Sequence, residues 1–279
     1  MKAALFGAIL WITVQESAAY GAWPPIGRGQ KERPFDFRET HVLPVLWTGD
    51  FGQKHYKTYV VLTNPGYAPV TVSLQFFCEH GKEIRLPLNG QMDTSFTVNL
   101  GPHEVFTGVS DRKDAGNGES ELAWILVRST GSVKAETTVW SDKSFSINQI
   151  QPDERDAVLR YVSGGDMVVV NPLPVSQTVQ LIVRDSNGDM ACRAAREIQA
   201  GAMLISAVAK AAGCDPDSGS LEVIAPDGIA AIVLRYPDDG SIAVSYPAHS
   251  EPGANRSWDE ALHDIWQVIV GQSNGNKKE

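Results

Sequence analysis

The chain has 279 residues, of which 43% are hydrophobic and 20% charged, with a formal net charge of −9. That balance is globular rather than disordered, and the length suffices for two domains that each bury a core. With no cluster of cations before Lys277 and Lys278, duplex nucleic acid and anionic membrane surfaces are poor partners, because neutralising phosphate takes grouped Lys or Arg.

The first residues read as a secretory signal. Lys2 gives a short positive region, Ala3 to Val14 an apolar run, and Ser17, Ala18, Ala19 and Gly21 the small residues of a cleavage region. The apolar run is shorter than the ~20 residues a helix needs to cross a bilayer. The expectation is a signal peptide over 1–21, a mature chain without a transmembrane span, and a secreted, periplasmic or cell-surface location. Residues 22–40, rich in Pro, Gly and charge, read as an extended lead-in segment.

From His41 the pattern turns to short apolar runs separated by turn residues: HVLPVLW at 41–47, TYVVLTN at 58–64, VTVSLQFFCEH at 70–80, SFTVNL at 95–100, ELAWILVRS at 121–129 and VKAETTVW at 133–140. Within the third run Val72, Leu74, Phe76 and Cys78 share one face, and Thr71, Ser73 and Gln75 the other. A period of two with one apolar face is that of a half-buried antiparallel strand, and it points Cys78 inward. The block recurs. At a shift of 107, Asn64-Pro65 meets Asn171-Pro172, Thr71-Val72 meets Thr178-Val179, Leu74 meets Leu181 and Gly81 meets Gly188. An internal duplication accounts for this, with its boundary near Ile150–Arg155. The fold expected is all-β: two tandem immunoglobulin-like antiparallel β-sandwiches, at 41–150 and 155–247.

The segments VVLTNP, VSLQFF, LPLNGQMDTSFTVNLGPHEV and ELAWILVRSTGSV resemble paired β-sandwich modules of secreted bacterial proteins of unassigned activity. The likeness covers 41–140 closely and 157–246 loosely, since the second copy lacks the Leu-Asn-Gly and Ser-Phe signatures. It implies fold and export and transfers no catalytic residue.

The tail breaks the β pattern. Ser257 with Glu260 forms a capping-box signature, and Trp258, Leu262, Ile265, Trp266 and Ile269 make one apolar stripe at helical spacing before Gly271. A short C-terminal amphipathic helix is expected over 257–270, with that stripe as a candidate interaction surface.

Of three cysteines, Cys192 and Cys214 lie 22 positions apart in the second half. An oxidising compartment favours their pairing and leaves Cys78 reduced. No pair has the spacing of a zinc site, and the six histidines are scattered singly. Nucleotide-binding glycine loops and G-x-S-x-G are lacking, so no catalytic residue, resident metal or cofactor is expected. In DRKDAGNGESE the oxygens of Asp111, Asp114, Asn117, Glu119 and Glu121 crowd one loop, a calcium-type grouping. Solvated turns are the preferred reading there, as they are for Asp185, Asn187 and Asp189, where Asn187-Gly188 marks a hairpin.

Trp140 shares a strand face with Lys134 and Glu136 and is a candidate for solvent exposure. Trp47, Tyr56 and Tyr67 fall at strand ends or loops. The function these features favour is non-enzymatic: interaction or spacing at the cell envelope, with an unidentified protein or glycan partner. A carbohydrate-binding module is the alternative. A hydrolase pairing Asp111 or Glu119 with Glu136 is the second.

Overall fold

Eighteen strands and one helical turn make up the described part of the chain. The structure, a computed structural model, describes residues 36–245 apart from 52–53, 113–120, 142–143, 149, 151–155, 163, 215 and 236–242. The expected signal, most of the lead-in segment, and the helix at 257–270 with Trp258, Leu262, Ile265, Trp266 and Ile269 lie outside the described residues.

The first half holds β1 (Glu39–Phe51), β2 (Lys54–Thr63), β3 (Val70–Cys78), the small hairpin β4 (Leu86–Leu88) and β5 (Gln91–Asp93), β6 (Ser95–Leu100), β7 (Val105–Ser110), β8 (Glu121–Ser129), β9 (Lys134–Trp140) and β10 (Ser144–Asn148). The second holds β11 (Asp156–Val162), β12 (Asp166–Val170), β13 (Gln177–Asp185), β14 (Met190–Ile198), β15 (Met203–Ala207), α1 (Val208–Ala212), β16 (Ser218–Ile224), β17 (Ala230–Arg235) and β18 (Ala243–Ser245). The six apolar runs read from the sequence correspond to β1, β2, β3, β6, β8 and β9.

All pairing among these strands is antiparallel. In the first half β1, β8, β3 and β6 form one layer and β10, β9, β2 and β7 another, joined because β1 also pairs with β2 at its far end. In the second half the orders are β11-β16-β13-β14 and β15-β12-β17-β18. Each half closes its layers on its own apolar core. Leu43, Leu62, Leu74, Phe76 and Ile125 fill the first, and Leu159, Val169, Leu181, Leu221 and Val233 the second.

A third core joins the halves. Trp124 and Leu126 of β8 point away from the first core, as do Val42 and Val45 of β1. They meet Val168 and Val170 of β12 and Ala230, Ile232 and Leu234 of β17. These strands are therefore apolar on both faces, which explains why ELAWILV, MVVV and AAIVL run without alternation. In β1 a bulge between Leu43 and Leu46, at Pro44, lets Leu43 and Leu46 serve one core and Val42 and Val45 the other. A proline inside a strand is tolerated at such a bulge because no ladder N–H is required there.

The seam is also hydrogen-bonded. The Trp124 indole N–H donates to the Gly201 carbonyl at 2.9 Å, and the ring stacks on Phe77 with centroids 4.5 Å apart. The Met203 N–H donates to the Glu79 carbonyl at 2.8 Å. Gly81, at φ +78°, approaches so closely that an added Cβ would sit 2.3 Å from the Ala200 carbonyl oxygen.

The two Asn-Pro turns share a buried amide plug. Asn64 Nδ2 donates to the Ala68 and Gly101 carbonyls, and its Oδ1 accepts from Gly66 N–H. Asn171 Nδ2 donates to Val175, Ile198 and Gln199, and its Oδ1 accepts from Leu173 N–H and Gln177 Nε2. Both asparagines are fully buried. An amide suits this plug because it offers two donors and an acceptor to backbone groups that the turn leaves unpaired.

Two details depart from expectation. Cys78 is only half-buried at the end of its strand, beyond the fully buried Val72, Leu74 and Phe76. The turn α1 was not foreseen: VAKAA is too short for a period to show, and it stops where Gly213 turns left-handed at φ 90°. The residue after that glycine, Cys214, is bonded to Cys192 of β14 with Cα atoms 6.1 Å apart, as the sequence predicts.

Candidate functional site

The polar side chains that converge most closely lie where the β1–β2 hairpin meets the end of β7. Asp50 pairs with His55 across the hairpin, and direct partners in an antiparallel ladder share a face. His55 Nδ1 lies 2.6 Å from Asp50 Oδ1, and its Nε2 lies 2.8 Å from Asp111 Oδ1. Asp111 follows Ser110, the partner of Thr58, and so comes alongside Lys57, whose Nζ is 2.7 Å from Asp111 Oδ2. Only 2% of the Asp111 side chain is exposed, against 57% for Asp50. Next to it Arg112 pairs with Glu121 at 3.1 Å and donates its backbone N–H to Thr48 Oγ1. The row continues across the sheet, because Lys57 is also the ladder partner of Trp140, an indole 46% exposed at the end of β9.

Burial lowers the His55 pKa, while the hydrogen bonds to Asp50 and Asp111 and the pull of both carboxylates raise it. The balance places the imidazole above its ordinary 6.5. The hairpin's other face is aromatic. Trp47 and Tyr56 meet edge-to-face at 5.3 Å, and Phe51 and Tyr56 at 5.6 Å. These rings are half-buried and support the hairpin from behind.

The residues picked out by sequence are distributed as follows. Asp111 does not lie in a solvated turn: it is buried and held by a lysine and a histidine. Asp114, Asn117 and Glu119 lie outside the described residues. Among the described residues no group of three acidic, histidine or cysteine side chains is placed to hold a metal ion. Glu136 stands level with Val61, four residues along β2 from Lys57 and two strands away from Asp111. Strand geometry puts the two backbones about 16 Å apart. Asp185 caps the β13–β14 turn, its Oδ1 accepting from the Asn187 and Asp189 N–H groups, so RDSNGD is the hairpin its Asn-Gly pair implies. Tyr67 is 89% exposed and edge-on to His103 at 4.6 Å.

Sequence reasoning missed His55 as a member of a cluster. A local signal was present, since Asp50 and His55 flank a Gly-containing hairpin end, but Asp111 is 56 positions away and only the β2–β7 pairing brings it in. Comparison with protein-family models, with curated proteins and with solved structures found no match to this chain.

Proposed function

We propose that the chain is an exported, non-enzymatic module of two immunoglobulin-like β-sandwiches that binds a protein or glycan at the cell envelope through the outer face of β7, β2, β9 and β10. The observation that carries this reading is the row Asp111–Lys57–Trp140, which sets an exposed indole beside charged groups on a firmly backed sheet. Large aromatic side chains beside polar ones are the usual energetic centres of binding surfaces. The Cys192–Cys214 bond agrees with an oxidising compartment, and the resemblance to paired modules of secreted proteins agrees with export. Interaction is favoured over spacing because the halves meet face to face through an apolar layer, which shortens the molecule rather than extending it. Retention of envelope or medium components by the purified chain tests the proposal. Trp140→Ala should lower retention about 30-fold, the loss of a ~2 kcal/mol contact, with the thermal midpoint unchanged. Undiminished retention by that variant would count against this face.

Trp140 and Tyr67 favour a second reading, carbohydrate binding, because aromatic rings stack on sugar faces. Titration of a glycan array separates the two. Saturable glycan binding lost in Trp140→Ala or Tyr67→Ala selects the carbohydrate module, and a blank array beside a retained protein selects the first.

A further inference from the structure

We propose that Asp50, His55, Asp111 and Lys57 form a proton-operated clasp, which ties Asp50 of β1 through His55 of β2 to Asp111 while His55 is an imidazolium and frees Asp50 when that proton leaves. This goes beyond the binding reading and does not depend on it.

The argument begins with a count of protons. An ionised carboxylate only accepts hydrogen bonds, and a neutral imidazole carries a single N–H. Both His55 ring nitrogens lie within hydrogen-bond distance of carboxylate oxygens, at 2.6 and 2.8 Å. Both must donate, and only the doubly protonated ring can do so. Removing one proton turns one contact into two lone pairs facing each other at under 3 Å, and no ring flip satisfies both sides. The weaker anchor then gives way. Asp111 is buried and also held by Lys57, whereas Asp50 is over half exposed and can turn to water. The contact that opens is therefore the one between Asp50 of β1 and His55 of β2, while His55 stays with Asp111.

Among the described residues the charged groups on the ring and its partners are Asp50 from β1, Asp111 following β7 and Lys57 from β2; Arg112, next in sequence to Asp111, is paired with Glu121 of β8. Imidazole is the side chain among these types whose ordinary chemistry changes charge near neutral pH. The upward displacement of its pKa agrees in sign. A group whose pKa is raised in the closed form stabilises that form fully below its open-form value. The contribution is lost as pH rises through the raised value, so alkaline conditions open the clasp.

The test uses the full chain. His55 is titrated by NMR, with the resonance assigned from His55→Gln, and amide exchange over residues 48–58 is followed from about pH 5.5 to 9, corrected for intrinsic rates. His55 should titrate above 6.5, and protection should fall through that titration, tenfold for each unit by which its pKa is raised. The two amplitudes must agree. In His55→Gln protection should be low and independent of pH. In Asp50→Asn the side-chain amide can donate or accept, so a neutral ring is tolerated and protection should persist at high pH. Titration of His55 at or below 6.5, protection unchanged through its titration, or the same fall in His55→Gln would each overturn the clasp.

Discussion

Single buried polar side chains do much of the shaping here. Asn64 and Asn171 are each the first residue of an Asn-Pro step and satisfy backbone groups from two segments at once. Replacing either by Ala strands several buried carbonyls, so each variant should lose about 2–4 kcal/mol of stability. Equilibrium denaturation checks this, and the larger loss is expected in Asn171→Ala, because the Asn171 side chain makes five hydrogen bonds and that of Asn64 three. Asp111 is a different case. It lies between Lys57 and His55, both partly open to water, so Asp111→Ala should cost about 2 kcal/mol, less than the 3–5 of a fully enclosed pair. Chemical denaturation at pH 6 reports it.

At the scale of elements, the strands with two buried faces decide how the halves associate. β8 sends Trp124 and Leu126 one way and Ile125 and Val127 the other, so it serves two cores at once. The turn at Gly81 closes the same seam. Gly81→Ala places a methyl against the Ala200 carbonyl in a left-handed backbone, where L side chains are strained. A loss of about 2–4 kcal/mol is expected, read as a lowered thermal midpoint. The corresponding turn residue Gly188 has open space around it, so there the same change should show only the smaller backbone cost. In the second half the Cys192–Cys214 bond ties the residue after the α1 cap to the edge strand β14. Closing a 22-residue separation corresponds to about 3 kcal/mol. Reduction should lower stability by that order, and alkylation of the unreduced, denatured chain should label Cys78 alone.

For the whole molecule the shared apolar layer has a thermodynamic consequence. Neither half can leave the other without wetting Val42, Trp124, Val168, Ile232 and Leu234. Calorimetry should accordingly show one transition, with the van't Hoff and calorimetric enthalpies equal. Residues 156–245 expressed alone should expose that layer and self-associate, a patch larger than soluble monomers tolerate. Two resolved transitions, or a monodisperse isolated half, would contradict this picture.

The order of these effects marks where sequence information ends. Period-two alternation in VTVSLQFF, the Asn-Pro repeat at a shift of 107 and the Asn187-Gly188 turn were each legible because their cause is local: pleat, turn chemistry and duplicated sequence. The cysteine pair was legible too, since two of three cysteines share one half. What tertiary structure alone decided is the face-to-face seam and the His55 cluster. The unbroken apolar runs in β8, β12 and β17 do not encode what buries their second face, since hydrophobic burial is non-directional. His55 read as a solitary histidine because the residue that holds its Nε2, Asp111, is brought to it by a strand pairing between distant segments, and no spacing within one chain segment encodes such a contact.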